Sequence, residues 1–270
     1  MEKLTDFVLE KLLVGIQKPG RYIGGEWNAV IKEKAAARVA LAFPDLYEVG
    51  MSHLGQRILY HILNEQPDIA CERVFTPWID FEKRLRENGI SLYSLESRIP
   101  LSRFDLIGFS LLYELNYTNV LTILDLSGIP LLSRDRGEET PLVIAGGPAA
   151  FNPEPVAEIF DCFVLGDGEE VFPDLVHHLT RRKKDKALKS EILAELAGWE
   201  GIYVPELTES QVTGENEPLA VRRKDGKPFT VRKRVIASLS DAPLYEKMIV
   251  PNLEIVFDRA VIEVERGCPQ

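Results

Sequence analysis

The sequence predicts a doubly wound α/β fold, with a five-stranded parallel sheet covering roughly residues 36–182. Short apolar runs alternate along the chain with amphipathic stretches of helical period, the order that βαβ units impose. Runs such as Leu106-Ile-Gly-Phe109 and Leu142-Val-Ile144 show no polar alternation, which suits strands covered by helices on both faces. Glycine, proline or asparagine closes most of these runs. The chain has 270 residues, enough for one sizeable α/β core with a smaller appendage, or for two modest domains. With 45% hydrophobic and 27% charged residues, its composition is that of globular proteins, and a packed core is expected.

The elements follow in order. Leu4, Phe7, Val8 and Leu12 share one face of a lead-in helix over residues 2–14, which Pro19-Gly-Arg-Tyr-Ile-Gly-Gly25 brings to an end. Arg38 to Phe43 forms the first strand, closed by Pro44-Asp45, and a helix follows with Leu54, Ile58, Leu59, Ile62 and Leu63 on one side. Cys71 to Thr76 is the second strand, and residues 78–88 are a helix ended by Asn88-Gly89. Asp105 to Leu111 is the third strand, followed by a helix over 114–127. Leu142 to Ala145 and Cys162 to Leu165 supply the last two, with a short helix after Asn152-Pro153 and a longer one from Glu169 to about Thr180. Crossovers between parallel strands are right-handed.

Beyond Arg181 the pattern changes. Residues 181–186 are a basic, solvated run, and a helix over 188–197 comes next. Short β-type runs then dominate: Ile202 to Val204, Leu219 to Arg222 and Phe229 to Val235, with Asp225-Gly226 as a hairpin turn. A last strand, Ala260 to Val264, leads into Arg266-Gly-Cys-Pro269. The expected division is an N-terminal helix and loop (1–35), the α/β domain (36–182), an α+β connector (183–259) and the first strand of a further domain (260–270).

Composition excludes several classes. Charged residues interrupt the N-terminus and no apolar run approaches the ~18 residues that span a bilayer, so a cytoplasmic protein without a membrane partner is expected. Cys71, Cys162 and Cys268 lie far apart, which excludes a disulfide framework and a complete metal site. Cys71 and Cys162 fall in apolar strands as small core residues. A net charge of −10 disfavours nucleic-acid binding over the whole surface. The cluster Arg222-Arg-Lys224, Lys227 and Arg232-Lys-Arg234 offers RNA a contact, although on a hairpin such a cluster is more often a solvated face. His61 falls inside a helix, and His177 and His178 lie on another with no acidic or cysteine partner at metal spacing, so surface or packing roles are expected. No phosphate-cradling glycine loop follows the first strand, against a nucleotide binder. Asp45, Glu48 and Glu114 have no positioned nucleophile beside them, against a hydrolase.

Ligands of open parallel sheets bind at the carboxyl ends of the strands, near the reversal of winding. Four loops meet that condition: Asp45-Leu-Tyr-Glu-Val-Gly50, Ser110-Leu-Leu112, Gly146-Gly-Pro148 and Gly166-Asp-Gly-Glu-Glu170. Small residues there admit a bulky ligand to the backbone, while Asp45 and Ser110 supply polar anchors.

In that order, D-x-Y-x-x-G at 45–50, S-x-L at 110–112 and G-G at 146–147 resemble the signature of cobalamin-binding domains. The phrases Arg21-Tyr-Ile-Gly-Gly-Glu-Trp27, Pro44 to Gly55 and Gly146 to Pro155 are similar to an uncharacterised bacterial subgroup of radical S-adenosylmethionine (SAM) proteins. The resemblance implies cobalamin bound near Asp45, Tyr47, Gly50, Ser110, Leu112, Gly146, Gly147, Gly166 and Gly168. Tyr47 replaces the signature histidine, and a phenol is a poor cobalt ligand at neutral pH. Cobalamin is therefore expected without histidine ligation, or else the domain keeps the fold and serves as a docking or substrate-presenting domain. His53, near a helix start, is expected to be a polar surface or capping residue and not to substitute as ligand.

The resemblance extends to the C-terminus. Radical SAM domains carry C-x3-C-x2-C after their first strand, and thiolates suit iron–sulfur ligation. Cys268 matches the first of these ligands and the chain stops at Gln270. The 4Fe-4S cluster and SAM are thus implied only for a longer parent chain, whose radical SAM barrel is the expected partner, and this stretch alone is expected to perform no radical chemistry. Methyl transfer, ring rearrangement and sulfur insertion are all compatible with the same parts.

Overall fold

The computed structural model describes residues 4–211, 220–226, 229–238, 247–259, 261 and 263–266. After helix α1 (Asp6–Leu13) come β1 (Ala37–Phe43), the single turn α2 (Tyr47–Gly50), α3 (Leu54–Glu65), β2 (Ile69–Phe75), α4 (Ile79–Asn88), β3 (Leu106–Ser110) and α5 (Tyr117–Leu126). Then follow β4 (Leu142–Gly146), β5 (Cys162–Val164), α6 (Val171–Lys184), α7 (Lys189–Leu196), β6 (Ile202–Tyr203), β7 (Thr208–Gln211) and β8 (Ala220–Arg223).

The main sheet has the order β2-β1-β3-β4-β5-β6. The first five strands are parallel, with Val39 opposite Cys71 on one side and Leu106 on the other. Because side chains alternate across a strand, Ala40 and Ala42 pack under α1, α4 and α5, whereas Val39, Leu41 and Phe43 pack under α3, α6 and α7. Both faces are covered, which explains the unbroken apolar runs. The winding direction reverses between β1 and β3, and this places the natural crevice at their carboxyl ends. The fold is the expected Rossmann-like α/β arrangement.

The structure departs from expectation at the edges. A sixth strand, β6, joins antiparallel through Val164 to Ile202 and Phe163 to Tyr203. Helix α6 runs on to Lys184, and α7 buries Ile192, Leu193 and Leu196 in the same core, so the α/β body continues past residue 182. The stretch after Asn152-Pro153 is a 3-10 turn, Glu154–Val156. In the small hairpin, β8 pairs with β7, and Asp225-Gly226 turns the chain after β8 and not within the hairpin. Phe229–Val235 is not a strand: it crosses the end of the sheet, with Arg234 N donating to Leu165 O at 2.9 Å and Gly201 N donating to Arg232 O at 2.9 Å. Val261, Glu263 and Val264 lie outside any strand, while Ala260, Ile262 and Cys268 fall outside the described residues. Among the described residues no helix is long and apolar enough to cross a membrane.

Candidate functional site

A cleft of about 430 Å³ opens at the carboxyl ends of β3, β4 and β5. Its floor is Leu41, Gly108, Phe109 and Ile144, and its walls are Ile58 and Leu59 of α3 and Phe172 of α6. Gly108 keeps that floor low, since a Cβ there would lie 2.8 Å from the Phe172 ring. Ser110, Leu112, Gly146, Gly147, Gly166 and Gly168, six of the nine residues expected at the site, line this one cavity. The apolar walls suit a flat, poorly hydrated group, and the cavity size is that of ordinary ligand sites.

Two of its glycines have a conformational reason to be there. Gly147 has φ +99°, and its Cβ would sit 2.6 Å from Leu111 O; Gly166 has φ +106°, with Arg234 O 2.0 Å from its Cβ position. Both are places where chain passes against chain in the mirror-image half of backbone space.

His53 also lines the cleft. It caps α3, its Nδ1 accepting from Gln56 N at 3.2 Å. With Nδ1 engaged as an acceptor, a neutral ring carries its proton on Nε2, which leaves no lone pair there for a metal. Burial pushes its pKa down and favours that neutral form. The expected capping role is what the structure shows.

Asp45, Tyr47 and Gly50 turn elsewhere. Asp45 Oδ1 accepts from Leu46 N at 2.7 Å, and the Tyr113 hydroxyl lies 3.5 Å from Oδ2. A Cβ on Gly50 would meet the Phe75 ring at 2.2 Å, so this glycine serves packing. Tyr47 is buried, donates to Glu26 Oε1 at 3.0 Å and accepts from Asn252 N at 2.9 Å. Burial first, and the Glu26 carboxylate second, push its phenol well above the ordinary value, so it stays protonated.

Tyr47 belongs to a clasp that joins the two N-terminal phrases of the sequence. Arg73 of β2, 2% exposed, lies 2.9 Å from Glu26 Oε2 and 2.6 Å from Glu96 Oε1. Arg21 grips Glu48 with Nε to Oε2 at 2.9 Å and Nη2 to Oε1 at 2.9 Å. Burial opposes the charge on Glu48, but the hydrogen bonds from Arg21 and Lys18 outweigh it and hold the carboxyl below its usual range. Asn252 then bridges the far connector to the arm, donating from Nδ2 to Gly24 O at 2.9 Å. Charged residues in a doubly buried strand, Glu72-Arg73, were the sequence signal for such pairing; their partners lie too far along the chain to be read from spacing.

The remaining candidates are settled locally. Cys71 and Cys162 are fully buried, and burial pushes both thiols up. Arg223 pairs with Asp225 and Arg234 with Glu170, which neutralises part of the basic cluster; Lys227 lies outside the described residues. Among the described residues no group of three or more His, Cys, Asp or Glu is arranged to hold a metal.

Comparison with known proteins places the chain beside the following relatives. The family described as radical SAM proteins, N-terminal, matches residues 55–205. An uncharacterised protein of Methanocaldococcus jannaschii is 24% identical over 241 residues, which is 88% of this chain and 40% of that protein. The chain thus spans about two fifths of the length of that curated relative. A solved radical SAM methyltransferase from Kitasatospora setae, with tryptophan and a SAM analogue bound, is 15% identical at a TM-score of 0.36, over 62% of this chain and 28% of that one.

Proposed function

The chain belongs to the family of radical SAM N-terminal domains, and we propose that it is the cofactor-holding module of a radical SAM enzyme, with cobalamin in the cleft between α3 and α6. One observation carries the reading: six loop residues picked out by sequence line a single apolar cavity at the reversal of winding. Leu41, Leu59, Ile144 and Phe172 suit the flat, apolar part of such a cofactor, Ser110 offers it a polar contact, and Gly146 and Gly147 leave the rim open. When bound, cobalamin supplies a cobalt centre for methyl or one-electron chemistry. The protein does not supply a lower ligand from position 47, because Tyr47 is committed to Glu26 and Asn252. The 4Fe-4S cluster, SAM and the radical SAM barrel belong to a longer parent chain.

The orientation of Tyr47 also favours a second reading, a docking or substrate-presenting domain without cofactor. Titration with hydroxocobalamin, followed by absorbance, separates the two. The first reading predicts saturable binding without the spectrum of histidine ligation. It further predicts at least tenfold weaker binding by Ser110→Phe, a loss of about 1.4 kcal/mol, with the circular dichroism unchanged. Absence of binding at high micromolar cofactor leaves the docking reading.

A further inference from the structure

Glu263 and Arg266 belong to the wall of the cleft although they come from the far C-terminal end of the chain. Arg266 Nη1 lies 3.1 Å from Asp167 Oδ1, and Nη2 lies 2.5 Å from Glu169 Oε1. Both carboxylates sit on the loop between β5 and α6. Glu169 is largely buried, its side chain 9% exposed, so this is a seated pair and not a passing surface contact. A third pair, Arg266 to Glu263 at 2.8 Å, lies within the segment and tethers nothing. Among the described residues of 261–266 no backbone hydrogen bond ties the segment to the body, and Val264 is 88% exposed. Downstream of the contacts of Val256 and Phe257 with the body, the Arg266 side chain is the tie seen among the described residues.

We propose that Arg266 is a positioning residue, which by pairing with Asp167 and Glu169 fixes the described residues 263–266 at the cleft mouth, just ahead of Cys268 in the sequence. The significance for a cluster-bearing domain rests on the reading given above; the tether itself stands on the geometry. A guanidinium carries its donors along the edges of one plane and donates to two carboxylates at once, so the pairing fixes the orientation of the Arg266 side chain as well as its distance from the loop. Whatever occupies the cleft shares a wall with Glu263 and Arg266, which precede Cys268 in the sequence.

Trypsin reads the tether directly, because it must extract the Arg266 side chain to cut the bond after it. The experiment uses the full chain carrying Lys247→Gln and Arg259→Gln, which remove the nearest competing cuts upstream, and mass spectrometry to follow release of residues 267–270. The bond should be cut at least tenfold more slowly than in a synthetic peptide of residues 261–270. Asp167→Asn with Glu169→Gln should raise the rate towards that of the peptide, with an unchanged dichroism spectrum as the check on folding. A bond cut as fast as in the peptide, or a rate that ignores the double substitution, overturns the proposal. The cofactor reading fails separately: a chain that protects the bond but binds no hydroxocobalamin keeps the tether, and a chain that binds it with the bond open does not.

Discussion

The clasp around Tyr47 and the cleft around Ser110 both grow from loops at the carboxyl ends of the sheet, yet one is filled by the protein itself and the other is open. In the clasp, Arg73, Glu26, Glu96 and Tyr47 satisfy each other in a dry interior. In the cleft, apolar walls converge on glycines and Ser110, with Asp167, Glu169, Glu263 and Arg266 at one side of the mouth. The same short motif therefore has two uses. Its first half ties the N-terminal arm to the sheet, and the second and third elements, at 110–112 and 146–147, form the rim.

The contrast can be broken in graded steps. The largest effect is expected from Arg73→Met, which strands two buried carboxylates and should cost about 3–5 kcal/mol. Urea denaturation measures it, and a loss below about 1 kcal/mol would mean that the clasp is not a sealed network. Next, Tyr47→Phe leaves Glu26 and the Asn252 amide each short of a partner and should cost about 1–3 kcal/mol. The smallest effect concerns His53, whose pKa burial depresses. Near pH 6 the unfolded chain then binds this proton more readily than the folded one, so its contribution to stability is present above the ordinary histidine pKa and is lost as pH falls. His53→Asn keeps a cap and should flatten the decline of stability between pH 7 and 5; an unchanged slope assigns that decline to other groups.

All five parallel strands were legible: β3, β4, β5 and most of β1 are apolar runs of the kind a doubly buried strand is written in, and β2, interrupted by Glu72-Arg73, was recognised by its place in the strand–helix alternation. Loop glycines at 146–147 and 166–168 were legible for a similar reason, since they punctuate those runs. What escaped depends on partners distant in sequence. The run Ile202 to Val204 reads as β-type in the sequence, but that it joins the main sheet depends on Phe163 and Val164, which its own pattern does not reveal. Strand β7, Thr-Glu-Ser-Gln, is polar and is a strand only because β8 lies beside it. Tyr47 reads in the sequence as a poor cobalt ligand that nonetheless belongs to the site; its actual direction is set by Glu26, Arg73 and Asn252, which chain order gives no means of assembling.

One paired measurement tests the division between clasp and cleft most directly: urea stability and hydroxocobalamin affinity, both determined for the unchanged chain, Tyr47→Phe and Ser110→Phe. The account predicts a crossed result. Tyr47→Phe loses stability and keeps its cofactor affinity within about twofold, a difference of about 0.4 kcal/mol, whereas Ser110→Phe keeps most of its stability and loses affinity at least tenfold. Loss of affinity in Tyr47→Phe at temperatures where it remains folded would contradict the account, because it would place Tyr47 at the cofactor and not in the clasp.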